Sequence, residues 1–358
     1  MSGKFPGCSD SAWPEVFTEP AMPCPSTVKK SGQLADHVIR KFFEDGFVIV
    51  EDFFTPEELN PCKEDIADVV DEVANMLWKK GKIKDLYNDF GFHERLVRMN
   101  DDFPGANILV IKTGRVPKAL KQLWANERLL NVIEQLIGPN IAGNPVWNIR
   151  AKIPSDEDTT VPWHQDCAYL DNDTYNMLIP TAWIPFVDTN FENGCMEFVK
   201  GGHRLGKVAT HQCCHGGTWY TILEEEEMTR TLGVDLSKDR EVVPVPFGGM
   251  VLFSNMIPHR SLPNNTSHIR WTVDLRWQHP DSPSGLWGLK EKVLMRSSDN
   301  PDLEIDWETF DAVDRCEQQK TLVTGYGEEA DDPELDTTIT GPWMKQWEIV
   351  HMNRHVKV

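Results

Sequence analysis

The sequence has no apolar run near the roughly 18 residues that a membrane-crossing helix needs, so it offers no candidate span. Its first residues, "MSGKFPGCSD", lack the apolar core of a signal peptide, and its last, "HVKV", form neither a peroxisomal nor an endoplasmic-reticulum retention tag. A cytoplasmic protein is the expectation. The eight cysteines (Cys8, Cys24, Cys62, Cys167, Cys195, Cys213, Cys214 and Cys316) include no CxxC pair. A chain of 358 residues does not need disulfide staples, so free thiols in a reducing compartment are expected. There is no strongly basic run, and the formal net charge is −20. Such a chain is repelled by the phosphate field of nucleic acid or of an anionic membrane, so neither is expected as a partner. No internal repeat is visible.

What is present is a globular composition, 40% hydrophobic, with length for one large or two ordinary domains. Residues 1–30 are rich in Pro and Ser and read as an arm. A helix is predicted over 33–45, with Leu34, Val38 and Phe42 on one face. "GFVIVEDFF" reads as a buried strand. Thr55-Pro56-Glu57-Glu58 is a helix start, with a Thr cap, Pro in the first position and acids in the first turn; that helix is predicted to reach about residue 80. "ANILVIKT" reads as a strand, and 117–137 as one helix stopped by Gly138-Pro139. From about residue 144 short β-rich runs alternate with Pro, Gly, Asn and Asp, the pattern of an antiparallel sandwich or barrel. The acidic segment "GEEADDPELD" reads as a solvated face.

Two stretches carry chemistry. In "VPWHQDCAYL", His164 and Asp166 stand two apart, which in a strand puts both on one face and turns Gln165 away. "GGMVLFSNMIPHRSLPNNTSHIRWTVDLRW" reads as a hairpin whose return strand alternates. Arg270, Thr272, Asp274 and Arg276 share one face; Ile269, Trp271, Val273, Leu275 and Trp277 share the other. Either the polar face meets water, or it lines a polar interior while helices cover the apolar face. Two histidines and one carboxylate are the facial triad of non-haem Fe(II) oxygenases, which leaves open positions for a bidentate cosubstrate and dioxygen. His259 is the second histidine. Arg270, eleven residues on, would bind the far carboxylate of 2-oxoglutarate, because a guanidinium grips a carboxylate with two parallel bonds.

"WHQD" at 163–166, "TAWIPFVDTNFENGCMEFVKGGHR" at 181–204 and "HRSLPN…HIRWTVDLR" at 259–276 resemble the phytanoyl-CoA dioxygenase family. "FFEDGFVIVEDFFTPEEL" resembles its N-terminal helix and strand. The resemblance covers roughly residues 35–285. It implies a mainly β protein with flanking helices, built on a double-stranded β-helix (jelly roll, cupin-like). It implies an Fe(II)- and 2-oxoglutarate-dependent dioxygenase that uses O2 and releases succinate and CO2. By the same resemblance, His164, Asp166 and His259 are the iron ligands, Arg270 is the 2-oxoglutarate anchor, and Ser261 supports the bound carboxylate. Trp183 lines the cosubstrate site, and Asn148 lies near a further cosubstrate contact. Family members that halogenate replace the carboxylate ligand, whereas Asp166 is present here. The division expected is an arm over 1–30, an oxygenase domain over 31–290, and an extension over 291–358 that packs on the core.

The substrate is not inherited, since "THQCCHGGTWYTILEEEEMTR" and everything after about 285 depart from the family. A small or medium organic molecule is expected, because coenzyme A phosphates would meet a strongly acidic chain. Against this, Arg150, Lys152 and Lys200 could form a local basic patch. Tyr169 could line the substrate pocket. Arg276 could reach an acidic substrate group or pair with Asp274 or another core acid. His211, Cys213, Cys214 and His215 are too closely spaced to close a zinc tetrahedron and read as a loop near the pocket; His203 reads as a turn-fixing loop residue. The rival readings are phytanoyl-CoA 2-hydroxylation, a cupin-like metalloprotein without 2-oxoglutarate, and a non-catalytic metal-binding or regulatory module on the same fold. Oligomeric state is left open.

Overall fold

The computed structural model describes residues 29–357, so the arm expected over 1–30 lies almost wholly outside the described residues. In chain order the strands are β1 (Phe47–Val50), β2 (Ile141–Gly143), β3 (Asn148–Lys152), β4 (Pro180–Pro185), β5 (Met196–Val199), β6 (Gln212–Cys213) and β7 (Thr221–Ile222). They continue as β8 (Arg240–Val243), β9 (Met250–Ser254), β10 (His259–Ser261), β11 (Arg270–Gln278), β12 (Val293–Arg296) and β13 (Glu348–Ile349). The major sheet runs β1-β9-β4-β11-β2-β12, with β3 also on β11; a minor sheet runs β10-β5-β8. Both are antiparallel. This is the jelly-roll arrangement, with helices flanking the major sheet.

Side-chain alternation explains the layering. Met250 and Leu252 of β9, Ala182 and Ile184 of β4, and Trp271, Val273, Leu275 and Trp277 of β11 join one core with the N-terminal helices. Their neighbours of opposite parity, Val251, Phe253 and Trp183, pack instead with Phe47, Met196 and Phe198 between the sheets. In a strand, residues two apart share a face, so each central strand serves both layers. All nine residues of β11 are buried. The polar face of Arg270, Thr272, Asp274 and Arg276 therefore lines an interior and does not meet water.

The helix predicted from Thr55 runs over Pro56–Lys79, with Thr55 and Glu58 satisfying each other's backbone in a capping box. The first helix spans Asp36–Asp45. Three expectations need correction. "ANILVIKT" contains a helix, Ala106–Ile111; a short apolar run does not by itself separate strand from buried helix. The stretch 117–137 is two helices, Lys118–Trp124 and Glu127–Ile137. They part where Asn126 turns its Oδ1 back to accept from the Arg128 and Leu129 N–H groups, capping a new start. Finally, β9 and β11 are not a hairpin, since β4 lies between them. Residues 255–258 carry the chain across to β10, which pairs with β5 in the other sheet.

Residues after 290 lie against this body. Phe310 meets the Trp124 ring at 5.7 Å, Trp343 Nε1 donates to Trp219 O at 3.1 Å, and β13 pairs with β6. No helix among the described residues is long and apolar enough to cross a membrane.

Candidate active site

His164 and His259 are cross-strand partners. The His164 N–H donates to His259 O at 3.0 Å, and the His259 N–H returns to His164 O at 2.9 Å. That bridge sets the rings 4.2 Å apart. It also corrects the strand reading of "HQD", because Asp166 opens a 3-10 turn, Asp166–Tyr169, instead of continuing a strand. Gln165 does turn away, with its amide bound to Met256 O, Lys207 O and the Ala209 N–H.

Each imidazole has its Nδ1 against a backbone carbonyl, Pro162 O at 2.8 Å for His164 and Ile257 O at 2.9 Å for His259. A carbonyl only accepts, so both Nδ1 atoms carry the hydrogen and both Nε2 atoms keep a lone pair. Those Nε2 atoms lie 3.4 and 3.7 Å from Asp166 Oδ1. One donor atom from each of the three residues falls within 4.8 Å of the others. Asp166 Oδ2 faces the other way, to Arg276 Nη2 at 2.7 Å and Nε at 3.2 Å. Burial alone would raise the Asp166 carboxyl, but the Arg276 charge reverses this and holds it well below the usual range. Burial and the neighbouring His164 push His259 down to about 3. Two lone-pair nitrogens and a carboxylate oxygen, buried and mutually facing, are a donor set that fits a divalent first-row cation. Their outer partners are already in place.

Against the two histidines lies a small cavity of about 30 Å³ lined by Arg270, Lys152, Ser261, Trp183, His164 and His259. Arg270 sits 5.1 Å from the centre of the Trp183 ring and donates through Nη1 to Thr272 Oγ1. Its Nε has no partner, and burial pulls it down to about 9. Lys152 donates to Thr159 O at 2.7 Å and Ser261 Oγ at 3.0 Å; burial, then the Arg270 charge, lowers it well below its ordinary value. Neither cation has a carboxylate within ion-pair reach among the described residues, whereas Arg150 beside them pairs with Asp274 at 2.5 Å. Two buried cations without a counter-ion are costly and suit an anionic carboxylate end. The sequence reading placed Lys152 only in a possible basic patch. The signal was parity. Asn148, Arg150 and Lys152 of β3 stand opposite Asp274, Thr272 and Arg270 of β11. Lys200, the third residue of that patch, lies instead beside Asp45 at 3.3 Å, with its side chain 41% exposed.

An adjoining cavity of about 130 Å³ shares His164, Arg150 and Arg276 with the first, and its walls also include Asp166, Tyr169, Asn148 and Trp343. Tyr169 meets His164 edge-on at 5.6 Å, and its hydroxyl accepts from the Thr221 N–H. Asn148 is not beside Arg270, and its Oδ1 accepts from Arg315 Nη2 at 2.9 Å. Arg276 pairs with core acids, closely with Asp166 at 2.7 Å and more loosely with Asp274 at 3.8 Å.

Cys213 and Cys214 are bonded to each other, which corrects the free-thiol expectation for this pair. Cys62, Cys167, Cys195 and Cys316 are free. His211 belongs to no metal cluster among the described residues. Its Nε2 accepts from the Gln165 N–H behind the triad. His203 donates from Nε2 to Phe43 O. Burial pushes His203 down to about 4 and His211 and His355 to about 3. An unfolded histidine titrates near 6.5, so above that pH both states are neutral. Between about 6.5 and 4 only the unfolded chain takes up these protons, and stability falls as pH falls. The expected slope is up to about 4 kcal/mol per pH unit for the three together. Urea midpoints at pH 7.5 and 5.5 check this; equal midpoints would show that these rings charge in the folded state.

A family model described as phytanoyl-CoA dioxygenase matches residues 42–272. A probable alpha-ketoglutarate-dependent hypophosphite dioxygenase from Stutzerimonas stutzeri is 22% identical over 232 residues, 64% of this chain and 73% of that protein. Phytanoyl-CoA dioxygenase domain-containing protein 1 from Mus musculus is 24% identical over 274 residues, 68% of this chain and 90% of that protein. Among solved structures, EctD from S. alaskensis with 2-oxoglutarate and 5-hydroxyectoine aligns over 79% of this chain and 86% of its own, at 14% identity and a TM-score of 0.49.

Proposed function

The chain belongs to the phytanoyl-CoA dioxygenase family, and from that premise we propose that this Fe(II)- and 2-oxoglutarate-dependent dioxygenase holds its iron on His164, Asp166 and His259. The observation that carries the proposal is the convergence of two lone-pair imidazole nitrogens and a carboxylate oxygen within 4.8 Å, beside a buried guanidinium that lacks a carboxylate. Bound iron, with 2-oxoglutarate and O2, supplies the oxidising power that hydroxylates a C–H bond while succinate and CO2 leave. The chain supplies position and dryness. Arg270 takes the far carboxylate of 2-oxoglutarate in the small cavity, with Ser261 and Lys152 supporting it and Trp183 covering the guanidinium. Arg276 holds one oxygen of Asp166 so that the other faces the histidines. Tyr169 and the larger cavity receive the substrate and keep it near the triad.

The cavity of about 130 Å³ is close to the roughly 150 Å³ that accommodates benzene, which favours a small substrate over a long acyl-CoA. Residues 291–358 form an extension whose Arg315, Lys320, Thr340 and Trp343 wall that cavity.

The direct test is succinate release that requires both Fe(II) and 2-oxoglutarate in the purified protein. Metal binding without such release would favour the non-catalytic reading. Arg270→Lys keeps the charge and loses the two-armed grip. It is expected to weaken 2-oxoglutarate by about 1–3 kcal/mol, roughly 5- to 150-fold. An unchanged dissociation constant by calorimetry would move the anchor to Lys152.

A further inference from the structure

We propose that Arg315 is the anion-binding residue of the substrate pocket, and that the substrate is a small, ring-sized organic monocarboxylate. The inference rests on the oxygenase reading above and names the class of molecule that reading leaves open.

Arg315 starts the helix Arg315–Leu322 and lies beyond the matched family segment, which ends at 272. It lines the larger cavity together with His164 and Asp166. Its head group is held rather than loose. Nη1 donates to Pro145 O at 3.1 Å, Nη2 to Asn148 Oδ1 at 2.9 Å, and the guanidinium lies 5.4 Å from the centre of the Trp147 ring. These three partners are neutral, and the neighbouring Cys316 side chain is a further contact that favours the charged guanidinium.

Charge accounting singles this residue out. The other cations on the cavity wall have acids: Arg150 has Asp274 at 2.5 Å, Arg276 has Asp166 at 2.7 Å, and Lys112 and Lys320 meet Asp336 at 3.0 and 3.1 Å. Arg315 has no carboxylate within ion-pair reach among the described residues. One pre-positioned, uncompensated positive charge remains in the pocket of a chain whose net charge is −20. The global field repels an anion, so its recognition must come from a local cation in a low-dielectric site. A single charge matches a carboxylate better than a doubly charged phosphate, and a guanidinium fork fits a carboxylate geometrically. Tyr169, Trp219, Tyr220 and Trp343 stand in the same wall beside aliphatic residues such as Leu170 and Ile179, and offer an apolar ring faces to pack against.

The test uses the full chain loaded with zinc, which has no redox chemistry, and saturated with 2-oxoglutarate so that the Arg270 side is filled. Benzoate, phenylacetate and cyclohexanecarboxylate are titrated by calorimetry beside their primary amides. At least one acid is expected to bind tenfold or more tighter than its amide. Arg315→Gln should erase that preference, a loss of about 10- to 100-fold for the acid with little change for the amide. Arg315→Lys should recover part of it, which guards against a merely misfolded Gln variant. If no acid is preferred over its amide, or if the preference survives Arg315→Gln, the assignment is wrong. The underlying oxygenase reading fails by a different result, the absence of iron-dependent succinate release, so the two failures are distinguishable.

Discussion

His259→Ala is expected to reduce iron-dependent succinate formation to background. His259 provides one of three donor atoms, its Nε2 lone pair is aimed by the bond from Nδ1 to Ile257 O, and no other histidine or acid joins the cluster among the described residues. Losing an outer partner of a metal ligand typically costs roughly 10- to 100-fold in affinity or activity; losing the ligand itself should exceed that. The ring also packs 5.5 Å from Phe198 and 4.7 Å from Phe253, so alanine leaves a hole between the sheets. His259→Gln keeps most of the volume and should lose turnover equally while melting closer to the parent. Cobalt titration followed by absorbance reads the metal independently of turnover. A variant that binds cobalt with unchanged affinity, or keeps full activity, would remove His259 from the ligand set.

How much of this was legible beforehand depends on whether the signal was local. The period-2 alternation from Ile269 to Trp277 was enough to separate Arg270 and Arg276 from the tryptophans. It could not say that both faces are buried, which follows from helices covering one side and the minor sheet the other. The Thr55 cap was readable because its partners lie within three residues. "ANILVIKT" misled because an apolar run six to eight residues long has no period of its own to report. The hairpin misled because β9 and β11 are separated by β4, a matter of sheet order and not of sequence distance. The pairing of His164 with His259 spans 95 residues and was accessible only through family resemblance. Arg315 and Lys152 look like ordinary cations in sequence. What distinguishes them is that no carboxylate lies within ion-pair reach among the described residues, a property of the assembled interior.

Arg276→Met is expected to destabilise the metal-free protein strongly. Arg276 and Asp166 are both buried, and the guanidinium places Nη2 2.7 Å and Nε 3.2 Å from one carboxylate oxygen. Thr181 Oγ1, at 3.5 Å, is too distant to replace them. Removing one partner of a buried pair leaves an uncompensated charge and typically costs about 3–5 kcal/mol. The sign with pH is definite. In the parent, Asp166 lies well below its ordinary value, so its contribution is present above an unfolded pKa of roughly 3.9 and is lost only as pH falls through that depressed folded value. Without Arg276 burial raises the carboxyl instead, and the folded state then loses stability as pH rises through the raised value. The gap between variant and parent should therefore be widest near pH 8 and close towards pH 4. Arg276→Met combined with Asp166→Asn should recover much of the loss, because no buried charge remains. A divalent cation should also stabilise Arg276→Met more than the parent in relative terms, if that cation uses the same carboxylate. Urea titrations of the three proteins at pH 8 and pH 5, with and without zinc, measure each step. A single variant as stable as the parent at pH 8 would mean that Asp166 does not depend on Arg276, and that its second oxygen is satisfied some other way.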